Sequence, residues 1–430
     1  LDCPAAMPVC DNELEACRGC SDGVLGDAEC VTIDATLPYC APSGACVPCE
    51  VNDHCPGSRP VCGEADTAPA CEKCSEGDEG EAECGERTDG LDHCTGGGSC
   101  VECRDEADCN EAVDTDTLGM TCDADSHACR ACVLDSECES EVCDDAVGRC
   151  VAASAVLYVR DGGGNDAGPC SFGNPCATIT EALSRLDSAN PIRTIRIRSG
   201  DYAEALVIDG SIDVDAVRLS AEYVSESERA SLDPPDGGPA ILVVDKDVTI
   251  TGLEIRGATG MAADTPDGVR CLKISGSPGL TLRKVEIMSN AASGVFASTC
   301  DVSIYRSRIA LNLQGGISID HADYDIVNTM IVDNGTSAGT GSQVGGVRLD
   351  QANGTFAFNT VAGNVRDSDG TLAPGVQCLG GSAMVTNSVI RATGGGALGG
   401  CEALYSNYDG ATGATNSSAD PLLMEADGDY

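Results

Sequence analysis

In the C-terminal part of the chain, apolar and polar residues alternate in short runs between turns of Gly, Asn and Asp. Five of these runs begin with Gly and then alternate inward apolar and outward positions: Gly268-Val-Arg-Cys-Leu272, Gly294-Val-Phe-Ala-Ser298, Gly316-Ile-Ser-Ile-Asp320, Gly346-Val-Arg-Leu-Asp350 and Gly375-Val-Gln-Cys-Leu379. They begin 26, 22, 30 and 29 residues apart. Alternation with period two is typical of half-buried strands, and a repeat of this length is typical of a solenoid. The pattern predicts coils of short strands stacked as parallel sheets over residues 194–430.

A companion series of apolar runs ends in asparagine at Asn290, Asn312, Asn334 and Asn364. Two consecutive intervals of 22 residues separate the first three of these asparagines. Equivalent positions of successive coils lie about 4.8 Å apart in a parallel sheet. We therefore expect Asn290, Asn312 and Asn334 to stack at one turn, with each side-chain amide bonded to the next.

The segment 151–193 has the pattern of a hinge followed by a cap. Small residues predict the hinge immediately after Cys150. From Ala177 to Leu186 the apolar residues recur with the i, i+3, i+4, i+7 spacing of an amphipathic helix, at Ile179, Ala182, Leu183 and Leu186. We expect one helix here, placed before the first coil.

Cysteines dominate the N-terminal third, where 23 of the 29 lie between Cys3 and Cys150. Five CxxC pairs recur at intervals of 25 or 29 residues. Cutting between the two cysteines of each pair gives five units of four: Cys20, Cys30, Cys40, Cys46; Cys49, Cys55, Cys62, Cys71; Cys74, Cys84, Cys94, Cys100; Cys103, Cys109, Cys122, Cys129; and Cys132, Cys138, Cys143, Cys150. Modules of this size cannot hold themselves together by a core alone. Residues 1–150 are therefore predicted to form a disulfide-rich, loop-dominated repeat array.

Zinc ribbons also use CxxC pairs, so a metal interpretation has to be weighed. Here each pair spans the boundary between two units, and two further cysteines lie in every interval. We therefore expect disulfides within each set of four and none across a CxxC pair, while the three pairings possible within a set stay open. The first unit has only Cys3, Cys10 and Cys17, and its repeat pattern places the missing partner upstream of Leu1.

The six remaining cysteines are expected to form three further disulfides: Cys170–Cys176, Cys271–Cys300 and Cys378–Cys401. The first pair brackets a short step rich in Gly and Pro. Cys378 takes an inward position of its run, and Cys401 follows about one coil later. Because adjacent coils bring such positions within disulfide reach, we expect this bond to join the last two coils.

The chain is strongly acidic, with 70 Asp and Glu against 25 Lys and Arg and a net charge of −45. Such a field disfavours nucleic acid and anionic membrane surfaces as partners. The many cysteines indicate an oxidising, extracellular or outer cell-surface location. No signal peptide or transmembrane run is found, which we interpret as processing or truncation, so that any membrane attachment would use a missing anchor.

The best candidate chemistry lies in two of the Gly-initiated runs. In the register above, Asp320 and Asp350 occupy the same outward column on adjacent coils, and Arg348 takes the neighbouring column with Arg270 and Ser318. Two close carboxylates and an arginine could hold calcium and a uronic acid, or act as an acid and a nucleophile. The plainer interpretation, a solvated column of charge, is favoured because no aromatic platform or further catalytic group accompanies them. Asp367 and Asp369 form a second candidate calcium loop, and no other cofactor is expected.

Several stretches give the chain a family resemblance. Asn174-Pro-Cys-Ala-Thr-Ile-Thr-Glu-Ala-Leu183, followed by Thr194-Ile-Arg-Ile-Arg-Ser-Gly-Asp-Tyr202, resembles the capping helix and first coil of the pectin-lyase-like superfamily. The tail Ala419-Asp-Pro-Leu-Leu-Met-Glu-Ala-Asp-Gly-Asp-Tyr430 resembles its final motif. The resemblance implies an all-β fold, a right-handed parallel β-helix solenoid, with sequence missing at both ends. The front half resembles cysteine-rich arrays attached to such β-helices in surface proteins of gliding and predatory bacteria.

The family includes polysaccharide lyases and glycoside hydrolases, but fold alone does not give function. We expect a non-enzymatic extracellular or cell-surface protein for structure or adhesion, with a stapled stalk and a β-helix that contacts glycan, matrix or neighbouring subunits. Two alternatives stay open. One is a subunit of an extracellular fibre assembled end to end, because a β-helix has two open ends. The other is a calcium-dependent polysaccharide lyase or glycoside hydrolase.

Overall fold

The computed structural model divides the chain into two compact units, Leu1–Ala152 and Ala153–Tyr430. It describes residues 9–11, 16–18, 30–31, 39–40, 46–47, 55, 61–62, 71–75, 82–84, 91, 93–95, 97–105, 108–110, 120–144, 146–189, 192–225, 228–235, 237–259, 266–276, 278–336, 345–365, 374–381, 383–392 and 396–419. The candidate calcium residues Asp367 and Asp369 lie outside these ranges, and so do several N-terminal cysteines. Each unit is described by itself.

The N-terminal unit is a series of two-stranded antiparallel hairpins. Their strands are Val9–Asp11 with Ala16–Arg18, Tyr39–Cys40 with Cys46–Val47, Val61–Cys62 with Cys71–Glu72, His93–Cys94 with Cys100–Val101, Thr121–Cys122 with Cys129–Arg130, and Cys143–Asp144 with Arg149–Cys150. Short 3-10 helices lie at Asp108–Asn110 and Asp135–Glu137, and another, Ala153–Ala155, begins the C-terminal unit. In every hairpin the last two cysteines of a unit lie directly opposite each other, as Cys94 and Cys100 do.

The described disulfides of this unit follow one rule: the first cysteine of a set bonds to the third, and the second bonds to the fourth. They are Cys30–Cys46, Cys74–Cys94, Cys84–Cys100, Cys103–Cys122, Cys109–Cys129, Cys132–Cys143 and Cys138–Cys150. Pairing within the sets, and not across the described CxxC pairs, is thus confirmed for these cysteines. In the hairpins of the last three units, the two opposed cysteines bond to the first and second cysteines of their unit and not to each other.

The C-terminal unit consists of three long parallel sheets, which we call A, B and C. Sheet A contains Val156–Val159, Thr194–Ile197, Ala216–Ala221, Asp247–Thr251, Gly279–Arg283, Asp301–Tyr305, Asp323–Val327, Asn353–Ala357, Ala383–Thr386 and Glu402–Leu404. Sheet B contains Gly200–Tyr202, Glu228–Leu232, Glu254–Arg256, Glu286–Met288, Arg308–Ala310, Met330–Val332, Thr360–Asn364, Val389–Ala392 and Asn407–Tyr408, and Tyr223–Ser225 pairs antiparallel with its second strand. Sheet C contains Leu206–Ile208, Ile241–Val244, Val269–Leu272, Ser293–Ser298, Gly315–Asp320, Val347–Asp350, Val376–Leu379 and Leu398–Gly399.

Successive strands along the chain visit C, then A, then B, and each pairs with its equivalent one coil later. This is the parallel β-helix predicted from the sequence, and the fold class is confirmed. Inward positions form columns of aliphatic side chains, for example Ile255, Ile287, Ile309 and Ile331 in sheet B, all fully buried.

The asparagines stack as predicted, and the column includes Asn364. Oδ1 of Asn312, Asn334 and Asn364 each accepts from both the backbone N–H and the side-chain amide of the preceding asparagine. Between Asn290 and Asn312 these distances are 3.1 and 2.9 Å, and between Asn312 and Asn334 they are the same. All four side chains are completely buried. The ladder therefore satisfies the polar backbone at a corner that has no access to water.

The helix spans Ile179–Ser184, which is shorter than the predicted Ala177–Leu186. The carboxylate of Asp166 accepts from the N–H groups of residues 177 and 178, so these two residues form an extended cap. Glu204, from the first coil, accepts from the N–H of Ile179 at 2.9 Å. The helix is thereby fastened to the first coil at its N-terminus.

The β-helix also contains the three predicted disulfides. They are Cys170–Cys176, Cys271–Cys300 and Cys378–Cys401. The last two each connect a sheet C strand to a position about one coil later, and they join neighbouring coils covalently.

Candidate functional site: the outer face of sheet C

Outward side chains of sheet C form two adjacent columns, which we call the sheet C face. One column contains Arg270, Phe296, Ser318, Arg348 and Gln377, and the other contains Leu272, Ser298, Asp320, Asp350 and Leu379. The Gly-initiated runs therefore pair in the predicted register. Asp320 lies directly beside Asp350, and Ser318 lies beside Arg348.

Both carboxylates of this face are bonded to neighbours. Asp350 accepts from Nη2 of Arg348 at 2.7 Å, within the same strand. Oδ1 of Asp320 lies 2.7 Å from Nδ1 of His321, and its Oδ2 accepts from the hydroxyl of Ser298 at 3.3 Å. The side chain of Asp320 is 40% exposed and that of Asp350 is 22% exposed, so solvent reaches both.

His321 directly follows the strand Gly315–Asp320, at the corner between sheets C and A, in the left-handed region with φ +52°. Its hydrogen bond to Asp320 and the negative charge of that carboxylate raise the pKa of the imidazole above its ordinary value. Since Ser298 bonds to Asp320 and not to the imidazole, these three side chains do not form a serine–histidine–carboxylate relay.

The sheet C face also contains an aromatic ring, Phe296, in the column beside the acids. The guanidinium of Arg270 lies 4.3 Å above the ring centroid of Phe296. Its Nη1 also donates to Oδ2 of Asp267 at 2.8 Å. The Asp267 side chain is only 3% exposed. Burial raises the pKa of Asp267 to about 6, although Arg270 and the Ser293 N–H both act to lower it.

The described carboxylates supply few ligands for a cation. Calcium takes six to eight oxygens, and the Asp320–Asp350 pair offers four at most. In the part of the chain that the structure describes, the groups of three or more close metal-ligand types are Cys74/Cys84/Cys94, Cys103/Cys109/Cys129 and Cys132/Cys138/Cys150. Each of these cysteines is in a disulfide, so the thiolates that zinc needs are absent from these groups.

Two arrangements of polar side chains were not predicted from the sequence. On the outer face of sheet B, an ion-pair network joins Arg229, Glu254, Arg256, Glu286 and Arg308. At the corner between sheets A and B, a second polar ladder contains the buried residues Ser307, Thr329, Asn359, Ser388 and Ser406 and ends at the half-buried Asn416. Most of these ladder residues are the first residues of the companion runs. The recurrence of a polar residue at that position could have predicted the ladder.

Among solved structures, one match is the crystal structure of the pectin methylesterase from Aspergillus niger in deglycosylated form. It shares 16% sequence identity with this chain at a TM-score of 0.28, and the match covers 62% of this chain and 86% of that one. At this level the likeness carries no inference about activity. No protein-family model and no curated protein sequence matches the chain. The molecule is defined by its own structure, as a parallel β-helix preceded by a disulfide-rich array.

Proposed function

We propose that this chain is an extracellular surface protein whose sheet C face binds an acidic polysaccharide without cleaving it. The observation that carries the proposal is the column in which Arg270, Phe296 and Arg348 share one outward face. Guanidinium groups pair well with carboxylates, and aromatic rings pack on the apolar faces of sugar rings. The face therefore offers charge and stacking to a polymer of uronic acids, in spite of the acidic character of the whole chain.

The bonding of the two acids supports binding over hydrolysis. Asp350 is tied to Arg348 and Asp320 to His321, with N···O distances of 2.7 Å in both cases. These bonds hold Asp350 beside the guanidinium of Arg348 and Asp320 beside the imidazole of His321. They leave Arg348 and Arg270 positioned along the face, where they can bind the carboxylates of a ligand.

The N-terminal array supports an extracellular setting. It contains a dense set of disulfides, and disulfides of this density persist outside the cytosol. Among the described residues, no helix is long and apolar enough to span a membrane. We propose that the array serves as a disulfide-stapled stalk for the β-helix.

Affinity electrophoresis in gels that contain polygalacturonate tests the proposal. Arg270→Ala removes a guanidinium from the sheet C face, and Arg283→Ala is its matched control. Arg283 stacks on Tyr305 of sheet A at 4.5 Å, as Arg270 stacks on Phe296. A hydrogen bond to a charged group is worth about 1.5–3 kcal/mol, so Arg270→Ala should weaken retardation about tenfold or more, and Arg283→Ala should not. Equal loss in both variants, or no retardation of the unmodified chain, contradicts the proposal.

A calcium-dependent lyase or hydrolase is the second candidate, and one observation favours it. Asp320 and Asp350 are in-register partners on adjacent parallel strands, about 4.8 Å apart. This spacing is close to the carboxyl separation of about 5 Å in retaining glycosidases. Release of reducing ends or unsaturated products from polygalacturonate, lost in Asp350→Asn and dependent on added calcium, would establish the enzyme and refute simple binding. End-to-end assembly into a fibre stays an expectation from the sequence, which electron microscopy of the full chain can test.

A further inference from the structure

The corner between sheets A and B presents one exposed residue per coil, and we call this line the corner ridge. Its residues are Lys284, Arg306, Asn328, Phe358, Asn387 and Tyr405. Backbone bonds fix their stacking: the N–H of Phe358 donates to the carbonyl of Thr386, and the N–H of Asn387 donates to that of Leu404, each at 3.2 Å. The ridge therefore runs along the axis of the solenoid with a step of about 4.8 Å per residue.

Two aromatic side chains on this ridge have no explanation in the fold. Phe358 is 61% exposed and Tyr405 is 65% exposed. Both have left-handed backbones, with φ +58° and +54°, where bulky residues are disfavoured and Asn or Gly is preferred. Asn328 and Asn387 follow that preference at equivalent positions of the same ridge. All six ridge residues share this left-handed conformation, so it belongs to the corner itself, and an aromatic residue there gains no burial and costs conformational free energy.

The second polar ladder makes this part of the ridge rigid. Asn359, Ser388 and Ser406 directly follow the three ridge residues and are at most 2% exposed. The N–H of Asn359 donates to Oγ of Ser388 at 3.1 Å, and that of Ser388 donates to Oγ of Ser406 at 3.3 Å. The N–H of Ser406 donates to the side chain of Asn416 at 3.0 Å. The positions of the exposed side chains are thereby fixed before any ligand arrives.

We propose that the segment of the corner ridge from Phe358 to Tyr405 binds one extended chain of a neutral polysaccharide, lying along the solenoid axis. The two aromatic residues are two coils apart, about 9.6 Å, and each pyranose of an extended β-linked chain advances by about one coil spacing. Every second sugar ring can then stack on an aromatic ring, while the amide of Asn387 bonds to hydroxyls between them.

The charge of this ridge segment and its narrow width favour a neutral polysaccharide as the ligand. The ridge residues of this segment include no Asp, Glu, Lys or Arg, so they offer no charged partner to an acidic polymer. A protein partner would need a contact of about 1,200 Å² or more in total, and a line of single side chains, one per coil, does not supply that breadth. A linear polymer, by contrast, can bind along a single line of side chains. This site is separate from the sheet C face, and the proposal does not depend on the function proposed for that face.

Affinity electrophoresis with hydroxyethylcellulose, a neutral β-linked polymer, tests this site in the full chain. Each of Phe358→Asn and Tyr405→Asn should weaken retardation about two- to tenfold, the range expected for loss of one aromatic contact. Neither variant should lower the melting temperature, because asparagine suits the left-handed backbone better than the aromatic residue it replaces. The melting curve thus separates loss of a ligand contact from loss of structure.

Ile274→Asn is the matched control, because Ile274 is 78% exposed and lies off the ridge. It should leave retardation unchanged. Retardation that survives in the Phe358→Asn/Tyr405→Asn double variant overturns the proposal, and so does absence of retardation for the unmodified chain. Failure of binding to polygalacturonate, by contrast, concerns only the sheet C face.

Discussion

Replacing Asn312 with alanine should destabilise the β-helix strongly, because this side chain completes four hydrogen bonds in a dry corner. Its Oδ1 accepts from the backbone and side-chain N–H groups of Asn290, at 3.1 and 2.9 Å. Its Nδ2 donates to the carbonyl of Ile287 at 3.0 Å and to Oδ1 of Asn334 at 2.9 Å. In the alanine variant Asn334 still accepts from the backbone of residue 312.

The main cost arises at Asn290, because its backbone N–H and its side-chain amide would both lose the acceptor that Asn312 provides. A buried orphaned polar group costs about 1–3 kcal/mol, so two of them give about 2–6 kcal/mol. In a unit of this size, 1 kcal/mol corresponds to about 2–4 °C in melting temperature, so a fall of the order of 10 °C is expected. Thermal unfolding followed by circular dichroism measures it directly.

Asn174→Ala is the matched control, since it removes the same atoms from an exposed turn before the first coil. Surface changes of this kind stay within about 0.5 kcal/mol. Position along the ladder gives a second check. Oδ1 of Asn290 accepts only the N–H of Ala258, at 3.0 Å, so Asn290→Ala orphans one donor and should cost about half as much as Asn312→Ala. Equal melting temperatures for Asn312→Ala and Asn174→Ala would refute the reasoning.

The parts of this fold that could be predicted from the sequence are those that follow the two-residue alternation of a β-strand. Alternation of inward and outward residues fixed the register of sheet C, because a slip of one residue would turn every apolar side chain toward solvent. Asp320 therefore lies beside Asp350, and Cys378 faces Cys401, as the pattern predicts. The asparagine ladder follows for the same reason, since its members recur at one point of the coil.

Features that depend on corners and on desolvation could not be predicted in this way. A left-handed φ is expected for Gly or Asn, but nothing in the letters Phe358, Tyr405 or His321 indicates it. Asp267 stands before its strand, and only three-dimensional burial shows that it holds Arg270. The pairing within each cysteine set could not be predicted, because four cysteines allow three pairings. Only the structure shows that the third and fourth cysteines lie on opposite strands and bond to different partners.

The remaining predictions concern a disulfide, a loop and a buried acid. Cys378→Ala/Cys401→Ala should lower stability by about 3 kcal/mol, since the bond closes a loop with a sequence separation of 23, and urea unfolding measures this. Asp245 accepts from the N–H groups of residues 274–276, so Asp245→Ala should speed their hydrogen exchange while distant coils keep theirs; unchanged exchange would count against this role. For Asp267 the folded pKa is about 6 against 3.8 in the unfolded chain, so the folded state binds the proton more tightly. Its contribution to stability is then largest below pH 4, declines as the pH rises to about 6, and is constant above that. About 2 pKa units at 1.4 kcal/mol each correspond to about 3 kcal/mol across this window. Asp267→Asn cannot titrate, so the difference in unfolding free energy between it and the unmodified chain should change by about this amount between pH 4 and pH 7. A difference independent of pH would mean that Asp267 is not buried as a carboxyl group beneath Arg270.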